Sequence, residues 1–298
     1  MKQFKGFITV IVSAILFGLM PTFAKYSYSE GVNVISLLFY RYLFAFSLIG
    51  LYVFIKRINL KITAKQFLSI GLASVVGTVF TTYSLFISYE YISTGLASSL
   101  HFVYPVITCI LACIVYKEKM TQVKFLALLL SVLGIGLLSI TSSVDINYTG
   151  IFWALISGLF YAIYIITIAN DNLKKINPYS LLFYVFLITT LLFLLIGGST
   201  NQLHFSISSS AIFYICNLGL LATFVAVLLF FEGMKEIGPS NASILSTFEP
   251  LTGVLMGLCL FNEDFSIKMM IGSILVLASV CMIGKEKTLT RKFFSKKR

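Results

Sequence analysis

Three ionisable side chains interrupt runs of about 20 apolar residues in this 298-residue chain: Arg41, His101 and Glu249. A charged side chain at the centre of a spanning helix costs about 2.5–3.5 kcal/mol on insertion scales, so each must face protein or water rather than lipid. Their chemistry differs. A guanidinium presents a fixed fork of donors to a carboxylate. A carboxyl can hold a cationic group or carry a proton, and an imidazole can also carry one. Glu249 is followed by Pro250, which lacks a backbone donor, so the carbonyl of Ser246 four residues back is expected to stand free near the middle of its segment. His101 and Tyr104 lie three apart, hence on one helix face, just before Pro105. Each group also has a plainer reading. Arg41 could tether backbone carbonyls or snorkel to headgroups, His101 could be a hydrogen-bonded packing residue, and Glu249 a protonated or hydrogen-bonded carboxyl within the bundle.

The elements that carry these residues are membrane helices. The chain is 58% hydrophobic and 11% charged, with a mean hydropathy of +0.97, whereas soluble domains are about 25% charged. Ten apolar runs, each long enough to cross about 30 Å of hydrocarbon, fall at roughly 6–26, 34–55, 67–88, 94–116, 123–141, 150–169, 179–197, 211–231, 240–261 and 267–284. The connecting loops are short and polar. One pattern recurs between the halves: Ser36-Leu37-Leu38-Phe39-Tyr40 returns as Ser180-Leu181-Leu182-Phe183-Tyr184 (180 − 36 = 144), and Pro105 and Glu118 return as Pro250 and Glu263 (250 − 105 = 145). Five spans per half is an odd number, so the second copy must enter the membrane from the opposite side, as in many secondary transporters. The expected architecture is therefore an all-α membrane protein, with ten transmembrane helices in two inverted five-helix repeats around a central cavity. The first repeat covers residues 1–145, the second 146–287, and a basic tail 288–298.

The repeat supplies expected neighbours. His101 and Tyr104 have Ser246 and Glu249 as their mates, and all four are expected to face one cavity near the pseudo-twofold axis. Arg41 has Val185 as its mate, so its charge is unique to the first half. Further cavity candidates are Tyr83 on the third span and Trp153, Tyr161 and Tyr164 on the sixth; Thr78, Thr81 and Thr82 with Tyr83 make the third span polar on one side, and Asn217 does the same for the eighth. Gly71, Gly77, Gly253 and Gly257 are expected to permit close helix packing.

The net charge of +11 is explained by its placement. With the N-terminus inside, 19 basic residues fall on cytoplasmic segments and only Lys25 and Lys268 on external ones, which puts both termini in the cytoplasm. The tail from Arg291 to Arg298 suits anionic headgroups, and no nucleic-acid partner is expected. Lys2 and Lys5 before an apolar run imitate a signal peptide, but no small-x-small cleavage site follows, so the run reads as the first helix. The five cysteines all lie within spans without metal-ligand companions. No phosphate-cradling motif occurs, so neither metal, cofactor nor ATP hydrolysis is expected. The partners expected are a small-molecule substrate, the bilayer and, as a coupling ion, the proton, with the chain acting as a monomer or homodimer in the cytoplasmic membrane.

Several stretches also resemble a family. Tyr89-Glu90-Tyr91-Ile92 through Ala97, Pro105 to Glu118 and Gly134-Ile135-Gly136 are similar to the segment that closes the first half of EamA-type, ten-helix members of the drug/metabolite transporter superfamily. Gly238-Pro239-Ser240-Asn241-Ala242 through Pro250 to Glu263, then Gly272, resemble the segment closing the second half. Arg41, in Phe39-Tyr40-Arg41-Tyr42, matches an arginine that this family often carries in its second span. The resemblance implies a cavity lined chiefly by helices one, three, four, six, eight and nine, and export of small metabolites such as amino acids. It assigns Glu118 and Glu263 to loop or gate structure. His101 and Glu249 are not general markers of the family. The leading reading is a non-enzymatic secondary transporter that exports a small polar or zwitterionic metabolite by alternating access, with protons as candidate coupling ions. The alternatives are a multidrug or lipophilic-cation exporter, a membrane-embedded lipid-modifying enzyme, which would need a carboxylate or histidine cluster at a membrane surface, and a passive channel.

Overall fold

The computed structural model describes residues 2–92, 94–139, 147–261 and 267–295. Glu263, the expected junction at residues 145 and 146, and the last three tail residues lie outside the described residues. In chain order the main helices are α1 (Phe4–Ser29), α2 (Val34–Ile55), α3 (Ala64–Tyr91) and α4 (Leu96–Tyr116), then α5 (Gln122–Ser139). The second half contains α6 (Tyr148–Ile168), α7 (Pro178–Ser199) and α8 (Ser209–Ile237), α9 in two pieces (Pro239–Leu245 and Phe248–Phe261), and α10 (Ile267–Ser295). The seven helices α1–α4 and α6–α8 are long and apolar enough to cross a membrane, and α5 and α10 contain the shorter apolar stretches Gln122–Leu137 and Met270–Ile283. The ten expected runs thus map onto seven full-length apolar helices, two shorter ones and one broken pair. Among the described residues there is no strand.

Local chemistry explains where the helices start. Asn33 caps α2 by accepting the Ser36 N–H at 2.8 Å, and Asn177 caps α7 by accepting the Tyr179 N–H at 2.9 Å. Thr63 and Ser208 cap α3 and α8 in the same way, at 3.2 and 3.1 Å. These caps recur at the repeat spacing, and so do helix starts: Ala64 and Ser209, Thr94 and Pro239, and Gln122 and Ile267 are each 145 apart (209 − 64 = 145). The packing follows the same symmetry. Helix α1 lies on α8 and α6 on α3, while α2 pairs with α7 and α5 with α10.

The repeated pentapeptide has a shared task. Ser36 Oγ donates to the Gln202 carbonyl at 2.9 Å and Tyr40 to the His204 carbonyl at 3.1 Å, which pins the loop after α7 to the start of α2. Ser180 Oγ donates to the Asn59 carbonyl and Tyr184 to the Leu60 carbonyl, both at 2.9 Å, which pins the loop after α2 to the start of α7. Each half holds the other's loop. A serine and a tyrosine four apart lie on one helix face, and the leucines between them are fully buried.

Small residues let the broken helices approach their neighbours. A Cβ on Gly158 would lie 2.5 Å from the His101 carbonyl at the break in α4, and one on Gly18 would lie 2.6 Å from the Glu249 carbonyl at the break in α9. Gly77 fits the expected role, since the Tyr164 ring rests 2.1 Å from where its Cβ would be. Gly71 and Gly253 do not, because each has open space on that side. The side-chain surroundings of Gly257 are outside the described residues.

Candidate functional site

Both helices expected to kink are broken. In α4 the helical pieces are Thr94–His101 and Tyr104–Tyr116, and in α9 the break falls at Ser246 and Thr247. The four pieces cross: the first piece of α9 packs on the second piece of α4, and the reverse pairing is also made. The backbone at the second break differs from the sequence expectation. The Ser246 carbonyl, which Pro250 was expected to leave free, accepts the Glu249 N–H at 2.9 Å. A tighter turn thus replaces the lost donor at Ser246.

A narrow central cavity of about 60 Å³ opens beside the two breaks. Its polar lining consists of Arg41 and Tyr42 from α2, Thr78, Thr81 and Thr82 from α3, His101 from α4, Tyr161 and Tyr164 from α6, and Glu249 from α9. Phe17 and Met20 of α1, Phe186 of α7 and Phe230 of α8 are among the residues that supply its apolar walls. Helices two and seven therefore join the set implied by the family resemblance.

Arg41 is only 2% exposed, which rules out snorkelling. Its Nε donates to Thr223 Oγ1 at 2.6 Å and Nη2 reaches the Ala222 carbonyl at 3.5 Å, while Nη1 is buried with no acceptor. The guanidinium carbon also lies 5.2 Å from the centroids of the Tyr42 and Phe86 rings. The tether reading is thus half met, leaving one charged donor unanswered. Such a buried group costs about 1–3 kcal/mol or more until it is paired.

His101 Nδ1 lies 2.7 Å from Ser157 Oγ. The serine's single hydrogen goes to the Ala154 carbonyl at 2.6 Å, so the imidazole is the donor and the proton sits on Nδ1. Nε2 has no protein partner among the described residues. Glu249 is 8% exposed, and its carboxyl makes no hydrogen bond or ion pair among the described residues, including with Arg41. The guanidinium and the carboxyl thus line one space without meeting.

The cavity brings together Arg41, His101, Tyr161 and Glu249 and leaves out five other sequence candidates. Tyr104 is fully buried beside the cavity, its ring 4.7 Å edge-on from Tyr161 and its hydroxyl unpartnered. Ser246 turns back to its own helix and donates to the Ala242 carbonyl at 3.0 Å. Asn217 does likewise toward the Phe213 carbonyl at 2.8 Å. Tyr83 and Trp153 pack edge-on against each other at 6.1 Å, away from the cavity. Sequence reasoning saw the polar side of α3 but selected Tyr83 rather than Thr78 and Thr81. The i, i+3 spacing of these threonines was the available signal.

One backbone feature is shared by the two halves. Ala73–Phe80 in α3 and Leu220–Val225 in α8 are π-helical, and π segments gather at functional sites because the wider turn redirects side chains and carbonyls. Thr78 and Thr223 occupy corresponding positions in these segments (223 − 78 = 145).

The chain is 27% identical over 291 residues to the uncharacterized inner membrane transporter YicL of Salmonella typhimurium, covering 94% of this chain and 95% of that protein. It is 26% identical over 284 residues to an uncharacterized transporter of Archaeoglobus fulgidus, covering 94% and 97%. A solved structure that is 12% identical shares the fold with a TM-score of 0.79 over 93% of this chain and 96% of that one. The EamA-like transporter family matches residues 4–140 and again 148–285. With a multi-pass helical fold built around a cavity that Arg41, His101 and Glu249 line, this chain belongs to the EamA-like transporter family.

Proposed function

We propose that this transporter is a secondary carrier that exports a small zwitterionic metabolite of the amino-acid type across the cytoplasmic membrane. One observation carries this reading: Arg41, with an unpaired Nη1, and Glu249, with an unpaired carboxyl, line the same cavity and make no ion pair with each other. A carboxylate on the ligand answers the guanidinium and an ammonium answers Glu249, so the ligand supplies the countercharges that the protein lacks. His101 and Tyr161 complete the wall. Residues 1–145 and 146–287 act as repeats of opposite orientation, with both termini in the cytoplasm, and rock about the crossing of α4 and α9 to give alternating access. Proton exchange at Glu249 or His101 would couple the cycle to the proton gradient.

The aromatic walls favour a second reading, export of lipophilic cations, which Arg41 opposes. Proteoliposomes containing the purified protein and loaded with radiolabelled metabolites separate the two. The proposal expects efflux of at least one zwitterionic amino acid, faster with an inward proton gradient. Efflux of quaternary ammonium compounds alone would favour the second reading. Cysteines at positions 61, 147, 204 and 287 test orientation, with external labelling expected only at 147 and 204.

A further inference from the structure

Helix α3 holds a set of buried hydroxyls that its repeat mate lacks. The Oγ1 atoms of Thr78 and Thr81 are buried and without partners, and both residues line the cavity. The contrast with α8 explains why. Thr223, the mate of Thr78, donates to the Leu218 carbonyl five residues back at 2.9 Å, as the π turn permits, and accepts from Arg41. Thr78 lies within the corresponding π turn but makes no such bond, and the mate of Arg41 is Val185, which offers no donor. The mate of Thr81 is Ala226. Symmetry therefore leaves two buried hydroxyls on the α3 side without a normal hydrogen bond: Thr78 has only the Tyr164 hydroxyl beside it, and Thr81 has no partner.

An unmade hydrogen bond of this kind is costly in a buried site. Threonine in a membrane helix usually avoids that cost by bonding to its own backbone, as Thr82 does to the Thr78 carbonyl at 2.7 Å. Thr78 and Thr81 do not. We propose that these two hydroxyls form a subsite for a third polar group of the substrate, a hydroxyl or amide beyond the two charged ends. The substrate is then a zwitterion with a hydrogen-bonding side chain rather than an aliphatic one. This rests on the zwitterion reading above and narrows it. A site built to hydrogen-bond a substrate group strongly rejects the analogue lacking it, because its own polar atoms stay unpaired.

The test uses near-isosteric pairs, L-threonine against L-valine and L-asparagine against L-leucine, as competitors of efflux in proteoliposomes. Wild-type protein should favour the polar member of at least one pair by about tenfold, the ratio equivalent to one hydrogen bond of about 1.4 kcal/mol. Thr78→Val should bring that ratio within about threefold without lowering protein abundance, because removing an unpaired buried hydroxyl does not destabilise the fold. Thr78→Ser, which restores the hydroxyl, should restore the preference, and Thr81→Val reports on the second hydroxyl independently. Equal competition within both pairs in the wild type overturns this inference while the zwitterion reading stands. So does a preference that survives both valine substitutions. If no zwitterion competes at all, the zwitterion reading falls and takes this inference with it.

Discussion

Helices α3 and α8 occupy corresponding places in the two halves, and each contains a π stretch, yet they are finished differently. In α8 the polar chemistry is closed: Thr223 accepts from Arg41 and donates to Leu218. In α3 it is open, with Thr78, Thr81 and the deeper Ser84 buried and unpartnered. The repeat sets the frame, including the wide turns and the crossed broken helices. Departures from it set the chemistry, because a group present in one copy only cannot be needed for the fold both copies share.

The comparison can be stressed at several points, the largest concerning the one acidic group at the breaks. Glu249→Gln keeps the shape of its side chain but removes the charge, while the mate position, Tyr104, carries none. Transport should fall at least tenfold with normal membrane abundance, since losing one partner of a buried charged contact costs about 2–5 kcal/mol. Wild-type flux from pH 5.5 to 8 would make Glu249 a structural residue.

Thr223→Val and Thr78→Val should then separate closed from open. The first strips Arg41 of its 2.6 Å partner and should lower stability by about 1.5–3 kcal/mol, the range for hydrogen bonds to charged groups. The second removes an unmet buried hydroxyl and should leave stability unchanged or raise it by up to about 1–3 kcal/mol. Thermal unfolding in detergent reads both, and equal losses would erase the distinction drawn between α3 and α8. Gly77→Ala against Ala222→Gly makes the same cut through packing. A Cβ at Gly77 would collide with the Tyr164 ring and should cost about 1–3 kcal/mol, whereas the reverse change in α8 should cost about 1 kcal/mol or less. The smallest effect is expected where the halves agree. Tyr40→Phe and Tyr184→Phe each remove one loop-pinning hydrogen bond and should cost a similar amount, about 0.5–1.5 kcal/mol.

Much of this frame was legible in the sequence. Offsets of 144 and 145 pointed to the breaks, which fall just before Pro105 and Pro250, and the pentapeptide marked two helix starts whose serine and tyrosine prove to hold opposite loops. Arg41, His101 and Glu249 were found because ionisable groups in such helices cannot face lipid. Neutral polar residues gave no such signal. Ser246 and Asn217 satisfy themselves on their own carbonyls, an option invisible in a residue pattern. Tyr83 follows a π stretch, where the 3.6-residue periodicity slips and the assignment of faces slips with it. Pro250 misled for a related reason, since a tight turn recaptured the Ser246 carbonyl that an unbroken kinked helix would have freed.

The central claim is that the two unpaired charges read the two ends of a zwitterion. It is tested most directly by competition between the best-carried amino acid and its N-acetyl and methyl-ester derivatives, in wild-type protein and in Glu249→Gln. The account predicts that each blocked form competes at least about tenfold less well with the wild type. In Glu249→Gln the penalty for N-acetylation should vanish while that for esterification, which belongs to Arg41, persists. Blocked and free forms competing equally with the wild type, or both penalties surviving unchanged in Glu249→Gln, would contradict it.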